Sequence, residues 1–220
     1  MRGEVFQILE AAEAEKIVDE LDRRKFVDGV VSAAGLPKGL KQNLQTERVT
    51  AERTEIDEIV ISAIERRADL QAYAMPTRFV MPMFSRYEPG MKYGDHVDNA
   101  LMGGMMGVRT DLAMTIFLTP PSSYDGGELV IEGSDEIKLD VGEAFVYPAT
   151  SIHHVAPVTR GVRLAVVTWL QSAVRNEQVR AALYDLWIVG REVEKLNDYQ
   201  LKLRLSKSYQ NLIRYAAEPR

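Results

Sequence analysis

The middle of this chain is a series of short strand-like segments, and that texture limits the fold more than any other feature of the sequence. From about Phe79 to Gln171, β-branched and aromatic runs such as AMTIFLT, GELVIE, EAFVYP and VRLAVVTWLQ are separated by glycine, proline and aspartate. Several short strands with frequent turns are typical of an antiparallel barrel or sandwich. Glycines suited to tight turns lie in Asp125-Gly126-Gly127 and Val141-Gly142-Glu143. The sequence therefore predicts an antiparallel β core.

Helices are predicted on both sides of this core, because apolar residues recur there at helical spacing. The repeating positions are Ala14, Ile17, Val18 and Leu21; Ile56, Ile59, Val60, Ala63 and Ile64; Val179, Leu183, Leu186 and Trp187; and Leu201, Leu205, Tyr209, Leu212 and Ala216. Asn197 or Asp198 is a suitable N-cap for the last of these helices. The polar, glycine-rich stretch from Val27 to Thr46 predicts a loop or a short irregular pairing. The fold class is thus mainly β with flanking helices.

The chain length predicts one domain. With 220 residues, the chain can bury one substantial core but not two ordinary ones, and no repeat or linker divides it. We predict a single domain over residues 1–220. Its parts are a helical N-terminal region at about 1–78, a β core at about 79–172 and a helical C-terminal extension at about 173–220.

Composition narrows the function. A formal net charge of −5 with mixed signs along the chain argues against nucleic acid and anionic membranes as partners. No apolar run approaches the ~20 residues of a spanning helix, and the first residues are acidic rather than apolar, so we expect a cytoplasmic protein. The chain contains no cysteine. Any metal ion must therefore be held by nitrogen and oxygen ligands.

The three histidines form the most specific candidate site. In an extended segment side chains alternate between faces, so His96 and Asp98 project to one side and Val97 to the other. Alone, this H-x-D pair could equally be a surface turn. A second site at His153-His154 supplies another imidazole, although neighbours in a strand face opposite ways and the pattern does not choose between them. Two imidazoles and one carboxylate form the facial triad that suits non-haem iron(II) oxygenases.

An arginine and a tyrosine are candidates for binding a cosubstrate. Arg163 begins an otherwise apolar strand, where it either points into a cavity with an anionic partner or lies on an exposed face. Its guanidinium fork would bind a carboxylate through two parallel hydrogen bonds. Tyr87 and Tyr93 precede the H-x-D pair, and either is a possible hydroxyl donor or plain barrel filling. Of the two we favour Tyr87.

The methionine- and glycine-rich segment from Asn99 to Arg109 leaves the site directly after Asp98. Its position suits a substrate lid, and a simple connector explains it equally well. The chain lacks the glycine-rich dinucleotide motif, the phosphate-binding loop and the nucleophile elbow of the hydrolases.

Several motifs together resemble those of bacterial PKHD-type hydroxylases, which are related to the prolyl 4-hydroxylase catalytic domain. They are RYEPGMKYGDHVD, RTDLAMTIFLT, YDGGELVIE, GEAFVYPATSIHHVAPVTRGVR and WLQS, and the likeness extends to KQNLQ at Lys41–Gln45 and to YQNLIR in the tail. The resemblance implies a double-stranded β-helix (jelly-roll) core that binds one Fe(II), uses 2-oxoglutarate and O2, and often depends on L-ascorbate to keep the iron reduced.

The resemblance also assigns roles to residues. The H-x-D of the family falls on His96 and Asp98, its distal histidine falls on His153, and its cosubstrate arginine, ten positions later, falls on Arg163. One departure concerns the tyrosine that assists this arginine in the relatives, because Phe117 occupies that position here. Tyr87 or Thr115 is then expected to assist Arg163.

These observations predict a hydroxylase that releases succinate and CO2 while it oxidises a peptidyl proline or a small metabolite. One alternative is a cupin-like metalloenzyme that uses zinc, nickel or manganese without a keto acid. Another is a non-catalytic sensor of iron or of a metabolite. The amphipathic C-terminal helices predict either packing on the β core of the same chain or a homodimer seam, and of the two we favour the dimer.

Overall fold

The computed structural model describes residues 3–218, apart from positions 34, 36, 48–51, 104–106 and 134–135. Its helices are α1 (Ala11–Leu21), α2 (Glu55–Arg66), α3 (Ala68–Ala74), α4 (Glu177–Val193) and α5 (Tyr199–Ala216). Its strands are β1 (Glu4–Gln7), β2 (Phe26–Asp28), β3 (Lys41–Gln42), β4 (Leu44–Thr46), β5 (Pro76–Phe79), β6 (Met83–Tyr87), β7 (Lys92–His96), β8 (Leu101–Met102), β9 (Val108–Arg109), β10 (Leu112–Phe117), β11 (Asp125–Gly126), β12 (Leu129–Ile131), β13 (Glu136–Ile137), β14 (Glu143–Pro148), β15 (His153–Val155), β16 (Val158–Arg160) and β17 (Arg163–Ser172).

Two antiparallel sheets form the core. The larger has the order β1-β14-β10-β17-β6-β4-β2, with β5 also paired to β17, and the smaller has the order β13-β12-β15-β7-β3. All the pairings described within them are antiparallel. From β6 onward the chain passes back and forth between the sheets, with β6, β10, β14 and β17 in the larger and β7, β12, β13 and β15 in the smaller, as in a jelly roll. The predicted fold class, mainly β with flanking helices and a jelly-roll core, is confirmed.

The central strands of the larger sheet are covered on both faces, which explains their continuous apolar sequence. All six residues of β10 are buried. Met114 and Ile116 pack with α1 and α2 residues such as Ile17 and Val60, whereas Ala113 and Phe117 face the space between the sheets. A strand buried on both faces does not show the alternation of a half-exposed strand.

The predicted turns and helix starts are also observed. Gly126, Gly127 and Gly142 have φ angles of +74°, +70° and +85°, a region that side chains disfavour. Asp198, rather than Asn197, caps α5 by accepting a hydrogen bond from the Leu201 amide at 2.9 Å.

The N-terminal region is less helical than predicted. It contains α1, α2 and α3, but it also contributes β1 to β4 to the two sheets. β1 has one buried residue, Phe6, so its sequence shows no strand period. Its conformation depends on pairing with β14, which is remote in sequence. The stretch from Val27 to Thr46 adopts the second of its predicted alternatives, a short irregular pairing, through β2, β3 and β4.

The Asn99–Arg109 segment, predicted as a lid or a connector, lies outside the two sheets. β8 and β9 pair as a small ribbon within the Asn99–Arg109 segment, and residues 104–106 of that segment lie outside the described residues. Its role as a lid stays a prediction.

At the C-terminus α4 packs on α3 and α5, and no described residue of α5 is buried. The predicted homodimer seam stays a prediction. None of the helices in the described part of the chain is long and apolar enough to cross a membrane.

Candidate metal centre and adjoining cavity

Strand pairing in the smaller sheet brings the predicted ligands together. His153 of β15 lies directly opposite His96 of β7, and Asp98 follows two residues after His96. The Nε2 atoms of His96 and His153 lie 4.0 Å and 3.9 Å from Asp98 Oδ1. One possible ligand atom from each residue falls within 4.8 Å of the others. The distances fit three ligands arranged around one ion.

Hydrogen bonds orient the two imidazoles for metal binding. The Nδ1 atoms of His96 and His153 lie 2.9 Å from the Gly94 carbonyl oxygen and 3.1 Å from that of Ser151. A carbonyl can only accept, so Nδ1 carries the proton and Nε2 keeps its lone pair. Burial, with a smaller effect of His153, lowers the pKa of His96 to about 4. His96 is therefore neutral near pH 7, as a metal ligand must be.

One oxygen of the carboxylate in this cluster lacks a hydrogen-bond partner. Asp98 Oδ2 is buried without a hydrogen bond, and burial raises the pKa of Asp98. An unpaired buried carboxylate is costly, and a bound cation would remove that cost.

His154 points away from this cluster. Its Nδ1 atom lies 2.7 Å from Asp95 Oδ1 near the surface, and Val97 is 51% exposed on that side. The strand alternation left the choice between His153 and His154 open. The structure places His153 with His96 and Asp98.

A cavity of about 730 Å³ opens between the two sheets next to the cluster. His96, Asp98 and His153 form part of its wall on the side of the smaller sheet, and Arg163 lines it from the larger sheet. The candidate metal site and the candidate cosubstrate arginine thus line the same cavity.

Arg163 lies inside the protein, which is the first of the two positions considered from sequence. It is 1% exposed, and its Nε and Nη2 atoms have no hydrogen-bond partner. Its Cζ atom lies 5.3 Å from the ring centre of Tyr87 and 5.2 Å from that of Phe117. Among the described residues no carboxylate lies within 4.0 Å of it. A buried guanidinium without a counter-ion indicates a binding site for an anion.

The two residues predicted to assist Arg163 are placed differently. Tyr87 is the cross-strand neighbour of Arg163 in β6 and offers its ring face. Thr115 is buried and lines the cavity from β10, where its hydroxyl lowers the pKa of Tyr147 against the larger, raising effect of burial. No hydrogen bond joins Thr115 or Tyr87 to Arg163 among the described residues.

Tyr124 is a neighbour of Arg163 that sequence reasoning missed. Its hydroxyl is buried without a hydrogen bond. Burial raises the pKa of Tyr124, and the nearby charge of Arg163 opposes that effect. The sequence feature that could have pointed to it is the glycine pair Gly126-Gly127. In the structure a Cβ at Gly127 would lie 3.0 Å from Arg163 Cδ and 3.2 Å from the Tyr124 ring. The turn therefore makes room for the arginine.

Three more missed residues lie in a row on the segment that joins the two sheets. Lys41, Asn43 and Gln45 alternate at strand spacing, all three are buried, and all three line the cavity. Both polar side-chain atoms of Asn43 and the Nε2 atom of Gln45 lack hydrogen-bond partners. The signal in the sequence was the polar run KQNLQ at Lys41–Gln45, and a solvent-facing segment would show such a run equally well.

Lys41 leads to a prediction about pH. Burial lowers its pKa from 10.5 to about 8, opposed by the charges of Asp98 and Asp28, while the pKa of neighbouring Tyr93 is about 12. The unfolded chain therefore binds more protons than the folded chain between about pH 8 and 10.5. The stability of the metal-free protein contributed through this group is expected to rise with pH across that window.

The Lys41→Met variant provides the measurement. At about pH 7.5 its Tm is expected to exceed that of the wild type by a few degrees, and the difference should vanish near pH 10.5. Thermal unfolding of both metal-free proteins across this range checks it, with Lys92→Met, an exposed lysine on β7, as the control. A difference that does not change with pH would contradict the assignment.

Comparison with known proteins shows the class of enzyme to which the chain belongs. Residues 82–171 match the model of the 2OG-Fe(II) oxygenase superfamily. Two solved structures share the fold. A Pseudomonas putida prolyl-4-hydroxylase has a TM-score of 0.60 at 18% identity, covering 77% of this chain and 92% of its own. The viral collagen prolyl hydroxylase of Paramecium Bursaria Chlorella virus-1 has a TM-score of 0.54 at 18% identity, covering 78% and 97%.

Closer relatives give the family. A PKHD-type hydroxylase of Rippkaea orientalis is 42% identical over 212 residues, covering 94% of this chain and 96% of its own. One of a Picosynechococcus species is 42% identical over 219 residues, covering 96% and 97%. The chain belongs to the PKHD-type hydroxylase family and is an Fe(II)- and 2-oxoglutarate-dependent dioxygenase. This membership favours the predicted oxygenase over the cupin-like enzyme and the non-catalytic sensor.

Proposed function

We propose that His96, Asp98 and His153 bind the Fe(II) ion of this dioxygenase and that Arg163 binds the C5 carboxylate of 2-oxoglutarate. The observation that carries the proposal is that one cavity contains both a candidate cation site and a buried cation without a counter-ion. A buried carboxylate and two oriented imidazoles lack a cation, and a buried guanidinium lacks an anion. Binding of Fe(II) and 2-oxoglutarate would satisfy both.

The donor set suits Fe(II). Two imidazole nitrogens and one carboxylate oxygen leave coordination positions open for a chelating cosubstrate and for O2. When bound, Fe(II) and 2-oxoglutarate supply the redox chemistry, in which O2 is reduced, 2-oxoglutarate gives succinate and CO2, and one oxygen atom enters the substrate.

The residues of this chain bind the metal, orient the cosubstrate and exclude water. The carbonyls of Gly94 and Ser151 fix the Nε2 lone pairs of the two imidazoles toward the metal position. The guanidinium of Arg163 orients the cosubstrate by its distal carboxylate. The rings of Tyr87 and Phe117 beside it exclude water, which strengthens the ion pair by lowering the local dielectric.

The finer parts of the function also belong to this proposal. The substrate is a peptidyl proline or a small metabolite, L-ascorbate keeps the iron reduced, and the protein acts in the cytoplasm. The prolyl hydroxylases with the same fold support the first of these substrates only by analogy, because their sequence identity is 18%. The family resemblance supports the role of ascorbate.

Anaerobic spectroscopy tests the proposal without a known substrate. Wild-type protein titrated with Fe(II) should bind one ion per chain, and addition of 2-oxoglutarate should then produce a weak visible charge-transfer band. Succinate, which lacks the keto group, serves as the control and should give no band. Protein loaded with one iron that shows no band with 2-oxoglutarate would overturn the assignment.

A further inference from the structure

We propose that Lys41 forms a subsite for a carboxylate group of the primary substrate. The inference rests on the proposed function, because it takes the same cavity as the place where substrate binds. It narrows the substrate to a molecule with a free carboxylate near the carbon that is hydroxylated. Such a group is found on a small organic acid and at the C-terminal end of a peptide.

The first observation is a buried cation whose direct contacts are neutral, although the charges of Asp98 and Asp28 act on it from a greater distance. Lys41 is 6% exposed, although lysine is rarely buried without a charged partner. Its Nζ atom donates to Ser32 Oγ at 2.7 Å and lies 4.9 Å from the ring centre of Tyr93. Among the described residues no carboxylate lies within 4.0 Å of it. A desolvated ammonium in a cavity is stabilised by an anion that enters from outside.

The second observation is the balance of charge in the cavity. The charges of Fe(II) and Arg163 are matched by those of Asp98 and the two carboxylates of 2-oxoglutarate. Glu47, also at the cavity wall, is exposed and forms an ion pair with Lys25 at 2.9 Å. Lys41 is therefore the one cation of the described cavity lining that neither the metal site nor the cosubstrate neutralises. A substrate carboxylate would complete the balance.

The third observation places this subsite beside the reacting centre. The ring of Tyr93 stacks on His96 with centroids 3.6 Å apart and an interplanar angle of 14°, and the same ring contacts the Lys41 ammonium. Among the described residues, the ring of Tyr93 is thus the only group between the Lys41 ammonium and His96, a proposed metal ligand, along this line of contacts. A carboxylate bound to it would place the neighbouring C–H groups of the substrate close to the iron.

The hydrogen-bonding capacity of Lys41 favours a carboxylate over a phosphate. An ammonium has three N–H donors, and Ser32, which donates its own proton to the Gly29 carbonyl at 3.1 Å, accepts one of them. Two donors are left for the two oxygens of a carboxylate. The single charge matches a monoanion, and the buried amide of Gln45 offers a neutral contact for the rest of the substrate.

Paired acids and amides test the inference. The probes are the N-acetyl derivatives of the 20 amino acids and N-acetylated tripeptides, each supplied as the free acid and as the C-terminal primary amide. Succinate release above the substrate-free rate is measured with the iron-loaded enzyme. At least one free acid is expected to stimulate release with kcat/KM at least about tenfold above that of its amide. The set that responds distinguishes a small acid from a peptide terminus.

Variants then assign the effect to Lys41. Lys41→Met is expected to lower kcat/KM for the stimulating acid by about 30-fold or more, mainly through KM, and Lys41→Arg should restore most of it because the charge is kept. Lys92→Met, on the same strand pair but exposed, should match the wild type. The KM for 2-oxoglutarate, measured in parallel, separates this subsite from that of the cosubstrate.

Three results would overturn the inference: equal stimulation by acids and amides, no stimulation by any acid, or wild-type kinetics in Lys41→Met. In each case an intact charge-transfer band with Fe(II) and 2-oxoglutarate shows that the proposed function itself still holds. Loss of that band in the wild type would instead be a failure of the proposed function.

Discussion

Arg163→Met is expected to raise the Kd for 2-oxoglutarate by about 100-fold or more. The guanidinium is buried, and its Nε and Nη2 atoms have no hydrogen-bond partner, so it is preorganised for a carboxylate. Loss of a buried charge-assisted pair typically costs about 2–5 kcal/mol. Anaerobic titration of the charge-transfer band with 2-oxoglutarate gives the Kd. The KM for 2-oxoglutarate in succinate release should rise in parallel.

A second readout separates lost binding from lost folding. Without 2-oxoglutarate the guanidinium of Arg163 is a desolvated charge, and a methionine of similar length relieves that cost. The Tm of the cosubstrate-free variant is therefore expected to be no lower than that of the wild type. Arg160→Met is the matched control, because Arg160 is exposed and forms an ion pair with Asp125 at 2.6 Å. A Kd within about threefold of the wild type would contradict the role of Arg163.

The second large effect is expected from one of two neighbouring histidines. His153→Ala should lower Fe(II) affinity and succinate release by at least about 100-fold, since even partners outside the ligand set commonly change metal affinity by 10–100-fold. His154→Ala should stay within about twofold of the wild type, because its ring lies near the surface beside Asp95. The two variants remove the same type of side chain at adjacent positions of β15, and the two side chains differ in the face of the strand on which they lie.

Metal binding can be followed apart from turnover. Fe(II) that binds only the folded state raises its Tm by mass action, and this rise is expected for wild type and His154→Ala but not for His153→Ala. Equal iron content and an equal rise in Tm for both histidine variants would rule out the proposed ligand set.

The local features of this protein follow from its amino-acid sequence alone. Alternation places His96 and Asp98 on one side of a strand and Val97 on the other, and this follows from backbone geometry alone. The glycines at 126, 127 and 142 suit positive φ angles that other residues disfavour. Helical periods in α1, α2, α4 and α5 likewise need only one segment to be read at a time. The family motifs predicted the function as well.

Which faces are buried and which segments pair depends instead on contacts between distant parts of the chain. The order of neighbours does not say whether His153 or His154 faces inward, since that depends on the pairing of β15 with β7 and β12. The sequence around Arg163 is compatible with either an exposed or a buried charge, and only the packing of the two sheets makes it buried. β1 and the row from Lys41 to Gln45 acquire their roles through strands distant in the chain. Burial and register are collective, long-range properties, because each arises from packing between segments that local periodicity does not connect.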